Sequence, residues 1–178
     1  MLPNLSFVIP AANENRWSDL FAALITADPA PLAVLLGVTF DAVRREITVP
    51  GQAGRKSDRL DLLLLNGNSE IAGNEVKLLS DVGPRQLERY LDAFPTAGVY
   101  RVLHLDGLPV NLQAARPWAA LTSETVLGAY SSSHNEWVST TARAWLAKRS
   151  LRAGGSMMSR TMEHHRDCQL DTTRRERR

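Results

Sequence analysis

Between positions 59 and 95 this 178-residue chain gathers residue types that can do chemistry together. Asp61 stands at the head of an apolar run, RLDLLLL; Glu75 and Lys77 follow in NEVK; Gln86 and Tyr90 come next in RQLERYL. Side chains alternate faces along a strand, so Glu75 and Lys77, two positions apart, point the same way. Two carboxylates with an ammonium beside them can hold a divalent cation and activate a water, which is the equipment for cutting a phosphodiester. Mg2+ takes oxygen ligands and keeps several waters, so the carboxylates of Asp61 and Glu75 would suffice, with the Val76 backbone carbonyl as a third ligand. Lys77 could lower the pKa of the metal water or stabilise charge developing on the phosphate. Gln86 and Tyr90, one helical turn apart, share a face and could position a backbone phosphate or orient Lys77. Glu14, in the first turn of an expected helix, could hold a second metal or a metal-bound water. Plainer readings stand beside these: an exposed Glu75–Lys77 pair on an edge strand, Asp61 as a strand-start residue, Tyr90 as a core aromatic, and Glu14 as a first-turn acid favoured by the helix dipole.

The elements that must position these groups can be read from periodicity. Residues 13–27 predict a helix capped by Asn13, with Trp17, Leu20, Phe21, Leu24 and Ile25 at helical spacing. Pro29 and Pro31 end it, and a second short helix runs to Leu36, closed by Gly37. Strands are expected over 44–49, 60–65 and 71–79, the last two joined at Asn66-Gly67-Asn68, a strong hairpin signal. A loop covers 50–57. A helix follows with Pro84 as its first residue, Asp81 or Gly83 near its cap, and Leu87, Leu91 and Phe94 as its buried stripe. Strands at 99–105 and 118–121 and helices at 123–130 and 135–146 complete the ordered part, the last helix with Trp137, Thr141, Ala144 and Trp145 facing inward. The result is an α/β arrangement with a mixed sheet and helices packed against it. Residues 1–150 make one domain, and 151–178 make a basic tail expected to be disordered.

The set Asp61, Glu75-x-Lys77 and Gln86-x-x-x-Tyr90, placed on one hairpin strand, on the next and on the following helix, resembles the PD-(D/E)XK nuclease superfamily. Restriction enzymes, Holliday junction resolvases and recombination nucleases share that fold. Glu14 matches the acidic residue that many members supply from a first helix. The resemblance covers residues 13–105 and, more loosely, the C-terminal helices. It implies a restriction-endonuclease-like core and metal-dependent hydrolysis of DNA, with Mg2+ or Mn2+ at Asp61 and Glu75 and with Lys77 assisting the attacking water. Nucleases of this fold often pair to cut both strands, so a homodimer is a further expectation. Leu60 stands where the family name has proline. Gly73 and Asn74 interrupt the apolar strand ahead of Glu75, which points to a weakened strand or a bulge. That interruption motivates an alternative: a catalytically silent nuclease-like domain serving as a nucleic-acid-binding or protein-binding regulatory module.

Composition sets the outer limits. A hydrophobic share of 44% with 22% charged residues suits a chain that buries a core rather than a disordered one. One cysteine excludes an internal disulfide framework and fits a reducing compartment. The longest apolar run falls well short of the roughly 20 residues that a membrane span needs, and no secretion signal is visible, so the expected address is the cytoplasm with no membrane partner. Residues 141–178 carry ten Lys or Arg against four Asp or Glu, a local net of +6, within a chain whose overall net is +2. A basic tail of this kind can touch nucleic acid or simply solubilise the protein. His164, His165 and Cys168 offer three zinc-type ligands without a fourth.

Overall fold

A computed structural model describes residues 14–51, 57–77, 85–104, 112 and 117–147. Helix α1 spans Glu14–Ala27 and α2 spans Ala30–Leu36. Strands β1 (Ala42–Val49), β2 (Asp58–Asn66) and β3 (Ser69–Lys77) follow, then α3 (Gln86–Ala93), β4 (Val99–His104), β5 (Ala119–Thr122), α4 (Ser123–Tyr130) and α5 over 136–147. The expected caps at Asn13 and near Pro84, the tail and the His164, His165 and Cys168 trio lie outside the described residues.

One five-stranded sheet runs in the order β1-β2-β3-β4-β5. β1, β2 and β3 pair antiparallel, while β3, β4 and β5 pair parallel, so the sheet is mixed as the sequence reading has it. Two cores lie on its two faces. On one, α1, α2, α4 and α5 pack around Trp17, Phe21, Leu24, Leu62, Leu64, Val76, Leu103 and Trp145. On the other, α3 packs with Val49, Leu60, Leu63, Leu65, Tyr100, Val102 and Trp118. Because both faces are covered, β2 can carry four consecutive buried leucines, Leu62 to Leu65, rather than an alternating pattern. Each such side chain contributes on the order of 1.5–3 kcal/mol on burial.

Gly37 closes α2 at φ 67° in the left-handed region, and its N–H reaches back to the Ala33 and Val34 carbonyls. In α5 the inward stripe is Val138, Ser139, Thr141, Ala142 and Trp145, while the expected Trp137 and Ala144 are half-buried at its margin. Among the described residues no single helix is long and apolar enough to cross a membrane. α1 and α2 meet that test only as a pair bent by 104°, and both bury apolar residues in the core.

The interruption expected at Gly73 and Asn74 does not occur. β3 is continuous through both residues and keeps its parallel ladder to β4. The register shift between β2 and β3 lies further along, between Leu64 and Leu65, where Ile71 is the extra residue. Gly73 has a packing reason instead. A Cβ there would stand 3.1 and 3.2 Å from carbons of the Tyr100 ring, so the glycine is the seat of an aromatic side chain.

Candidate functional site

The site lies where the sheet divides. β2 and β3 pair from Asn66↔Ser69 to Leu62↔Asn74 and then part. Below that rung the first residues of β2 pair only with β1, from Leu60 to Asp58. The last residues of β3, Glu75 to Lys77, pair only with β4. Asp61 and Glu75 are the next residues in register past the parting, so the two carboxyl groups stand at the mouth of the fork.

Irregular backbone directs Asp61 into it. Glu46 would be the β1 partner of Asp61, but it is missing from the ladder and sits at φ 49°, a left-handed conformation that costs a non-glycine residue roughly 1–3 kcal/mol. Across the same position β2 loses its alternation: Leu60 packs on the α3 side, and so do Leu63 and Leu65, whereas Leu62 and Leu64 pack on the other. The Asp61 carboxylate spans the fork, and its Oδ2 accepts the Val76 N–H at 2.8 Å.

Glu75 is almost wholly buried, with 2% of its surface exposed. Its Oε1 accepts from Lys77 Nζ at 2.9 Å and from Gln86 Nε2 at 2.9 Å. Its Oε2 is buried without a hydrogen-bond partner among the described residues. Gln86 Nε2 also donates to the Tyr90 hydroxyl at 2.8 Å, and that hydroxyl donates to the Arg59 carbonyl at 2.5 Å. Tyr90 is fully buried, so its ring meets no solvent and its hydroxyl ties Gln86 to β2.

Charge and burial act against each other here. Burial is the largest influence on Asp61 and raises its pKa; the Val76 N–H and Lys77 pull it down, and the charges of Glu14 and Glu46 push it up. Glu75 is pushed up to about 7, first by burial and then by the neighbouring Asp61 charge. For Lys77 burial favours the neutral amine, but the Glu75 carboxylate outweighs it, with Glu14 and Asp61 adding to the effect, and the net direction is upward. Glu14 is therefore within electrostatic reach of both Asp61 and Lys77. Its helix is held to β1 by Arg45, which pairs with Asp19 and donates to the Ser18 hydroxyl at 3.3 Å and the Asn15 carbonyl at 3.4 Å.

Asp61, Glu75, Lys77, Gln86 and Tyr90 thus share one network, and Val76 joins through its backbone N–H. Sequence reasoning missed Glu46, whose strained backbone has no composition signal, and the Asp58–Arg89 pair that fastens α3 to the start of β2. It also missed the aromatic support of α3. Trp118 Nε1 donates to the Leu87 carbonyl at 3.2 Å, and the Tyr100 hydroxyl donates to the Phe94 carbonyl.

Among the described residues no group of three or more His, Cys, Asp or Glu converges as a metal cage. Two carboxylates are nonetheless enough for a hard cation that keeps most of its waters, and the unpartnered, buried Glu75 oxygen fits such a ligand. No family model, curated protein or solved structure matches the chain.

Proposed function

We propose that this protein is a metal-dependent phosphodiester hydrolase acting on DNA, built on a restriction-endonuclease-like core and working in the cytoplasm. The observation that carries the proposal is the fork between β2 and β3, with a buried carboxylate oxygen that has no hydrogen-bond partner among the described residues beside a second carboxylate. Asp61 and Glu75 would hold Mg2+ or Mn2+, with the Val76 carbonyl as a further ligand. A cation there supplies Lewis-acid activation of water and neutralises phosphate charge. Lys77, fixed by Glu75 at 2.9 Å, presents its positive charge where a phosphate gains negative charge during attack. Gln86 holds Glu75 in orientation, and Tyr90 holds Gln86. Glu14 adds negative charge at the rim and can order a water there.

The test is hydrolysis of plasmid and linear DNA with and without Mg2+. Cleavage should require the metal and should fall by about 100-fold or more in Lys77→Ala. Cleavage that persists in that variant removes the proposed role of the amine.

One observation favours a second reading, a silent nuclease-like module that binds nucleic acid or protein. Glu75 Oε1 already has two donors, so the network could be a structural strut. Calorimetric titration with Mn2+ separates the two: binding lost in Asp61→Asn supports the hydrolase, and no binding to the unaltered protein supports the module.

A further inference from the structure

We propose that His104 is a further substrate-contacting residue of this site, its imidazole donating a hydrogen bond to an oxygen of the bound phosphodiester. The inference rests on the hydrolase reading and adds to it a residue that no motif in the sequence marks. It follows from strand register. β3 and β4 are parallel, and their ladder ends with Lys77 paired to His104. Paired residues on neighbouring strands project to the same face of a sheet. Earlier rungs of this ladder obey the rule. Gly73 and Tyr100 are partners, and a Cβ on the glycine would touch the Tyr100 ring. Val76 and Leu103 are partners and share one core. Tyr100 and Val102 pack on the α3 side, so His104, two residues further along β4, faces that side as well.

Lys77 is on the same face as Glu75, to which it is paired. Lys77 and His104 therefore stand side by side on strands about 4.8 Å apart. Both are half-buried, and both end their strands at the carboxyl edge of a parallel pair, the edge where open α/β sheets take their ligands. An ammonium and an imidazole at that spacing reach two oxygens of one phosphate. The proposed cation ligand Glu75 lies two rungs further in, beside Val102. Lys77 shares its charge with Glu75, so a second donor next to it strengthens the hold on phosphate where the lysine alone is partly neutralised. An imidazole has a ring N–H to donate in either charge state.

Histidine ring resonances observed at fixed pH test the proposal. The chain has four histidines, and the His104 signals are assigned by their loss in His104→Gln. A short DNA duplex is titrated in with Ca2+, while cleavage of the same duplex is followed separately with Mg2+. The expected result is a saturable shift at His104 with His134, at the far end of α4, unmoved. Duplex affinity should also fall about ten-fold in His104→Ala and be partly restored in His104→Gln. No shift in a protein that cleaves DNA overturns this inference and leaves the hydrolase reading standing. A His104 shift without cleavage keeps the phosphate contact and removes the hydrolase reading. Neither shift nor cleavage removes both. The titration itself uses the unaltered protein, and His104→Asn supplies the assignment where His104→Gln fails to fold.

Discussion

Glu75 holds two side-chain donors on one carboxylate oxygen and, among the described residues, none on the other, and only 2% of its surface is exposed. Such a group is comfortable when protonated and costly when charged, which sets the sign of its pH effect. Its ordinary value of 4.5 is raised to about 7 in the folded chain. Between those values the folded state binds more protons than the unfolded one, so stability falls as pH rises through this window and levels off above it. The cost at the plateau is at most about 3 kcal/mol. Thermal melts of the metal-free protein from pH 4.5 to 8 should show this decline, and Glu75→Gln should flatten it. A wild-type profile that rises with pH across the same window would contradict the burial argument. Lys77 adds no slope here, since it stays charged throughout.

At the scale of elements, α3 is the part that makes a site out of two strand ends. It is fastened to β2 by Arg89 on Asp58 and by Tyr90 on the Arg59 carbonyl, and to β3 by Gln86 on Glu75. Through the Tyr90 ring it also rests on Trp118, 6.1 Å away between centroids, which in turn lies 5.0 Å from the Tyr100 ring. Gly73 belongs to this support because Tyr100 lies across it. Gly73→Ala would require the ring to move by a few tenths of an ångström, and its hydroxyl and its Trp118 contact resist that motion. We expect a loss of about 1–3 kcal/mol by chemical denaturation. Tyr90→Phe removes one donor from the Arg59 carbonyl and one acceptor from Gln86, with an expected cost of about 1–3 kcal/mol. Because it releases Gln86 from β2, it should lower kcat for DNA cleavage more than it raises KM. A KM effect alone would place Tyr90 in substrate contact, which its complete burial argues against.

At the scale of the molecule, charge is distributed in a way the fold does not require. The net of +6 over residues 141–178 stands against −4 over the first 140, so the end of the chain is the part that would be drawn to phosphate backbone. Each phosphate neutralised steepens the salt dependence of binding by a slope of about 0.9 on a double-logarithmic plot. Deleting residues 151–178 should therefore weaken duplex binding and flatten its salt dependence, leaving cleavage at saturating substrate unchanged. Anisotropy titrations at several salt concentrations measure the slope, and an unaltered slope would mean the tail is only solubilising. Light scattering on a sizing column decides whether the protein pairs, as a hydrolase with one site per chain would to cut both strands.

Much of this molecule was legible from residue order alone. The helical spacing of Trp17, Leu20, Phe21, Leu24 and Ile25, the Asn66-Gly67-Asn68 turn and the leucine run of β2 specify their elements locally, because each signal is complete within a few residues. The set Asp61, Glu75, Lys77, Gln86 and Tyr90 was legible for the same reason: period-two and one-turn spacings determine which side chains can share a face. The weakened strand or bulge expected at Gly73 is absent because the glycine answers to a ring 27 residues further along the chain, and no local pattern encodes that contact. Only the tertiary structure decided that β2 and β3 part at Asp61 and Glu75, that Glu46 bends to allow it, and that His104 stands next to Lys77. Those facts depend on register between strands, and register is settled by how whole elements pack into two cores, a sum over many side chains that no short stretch of sequence contains.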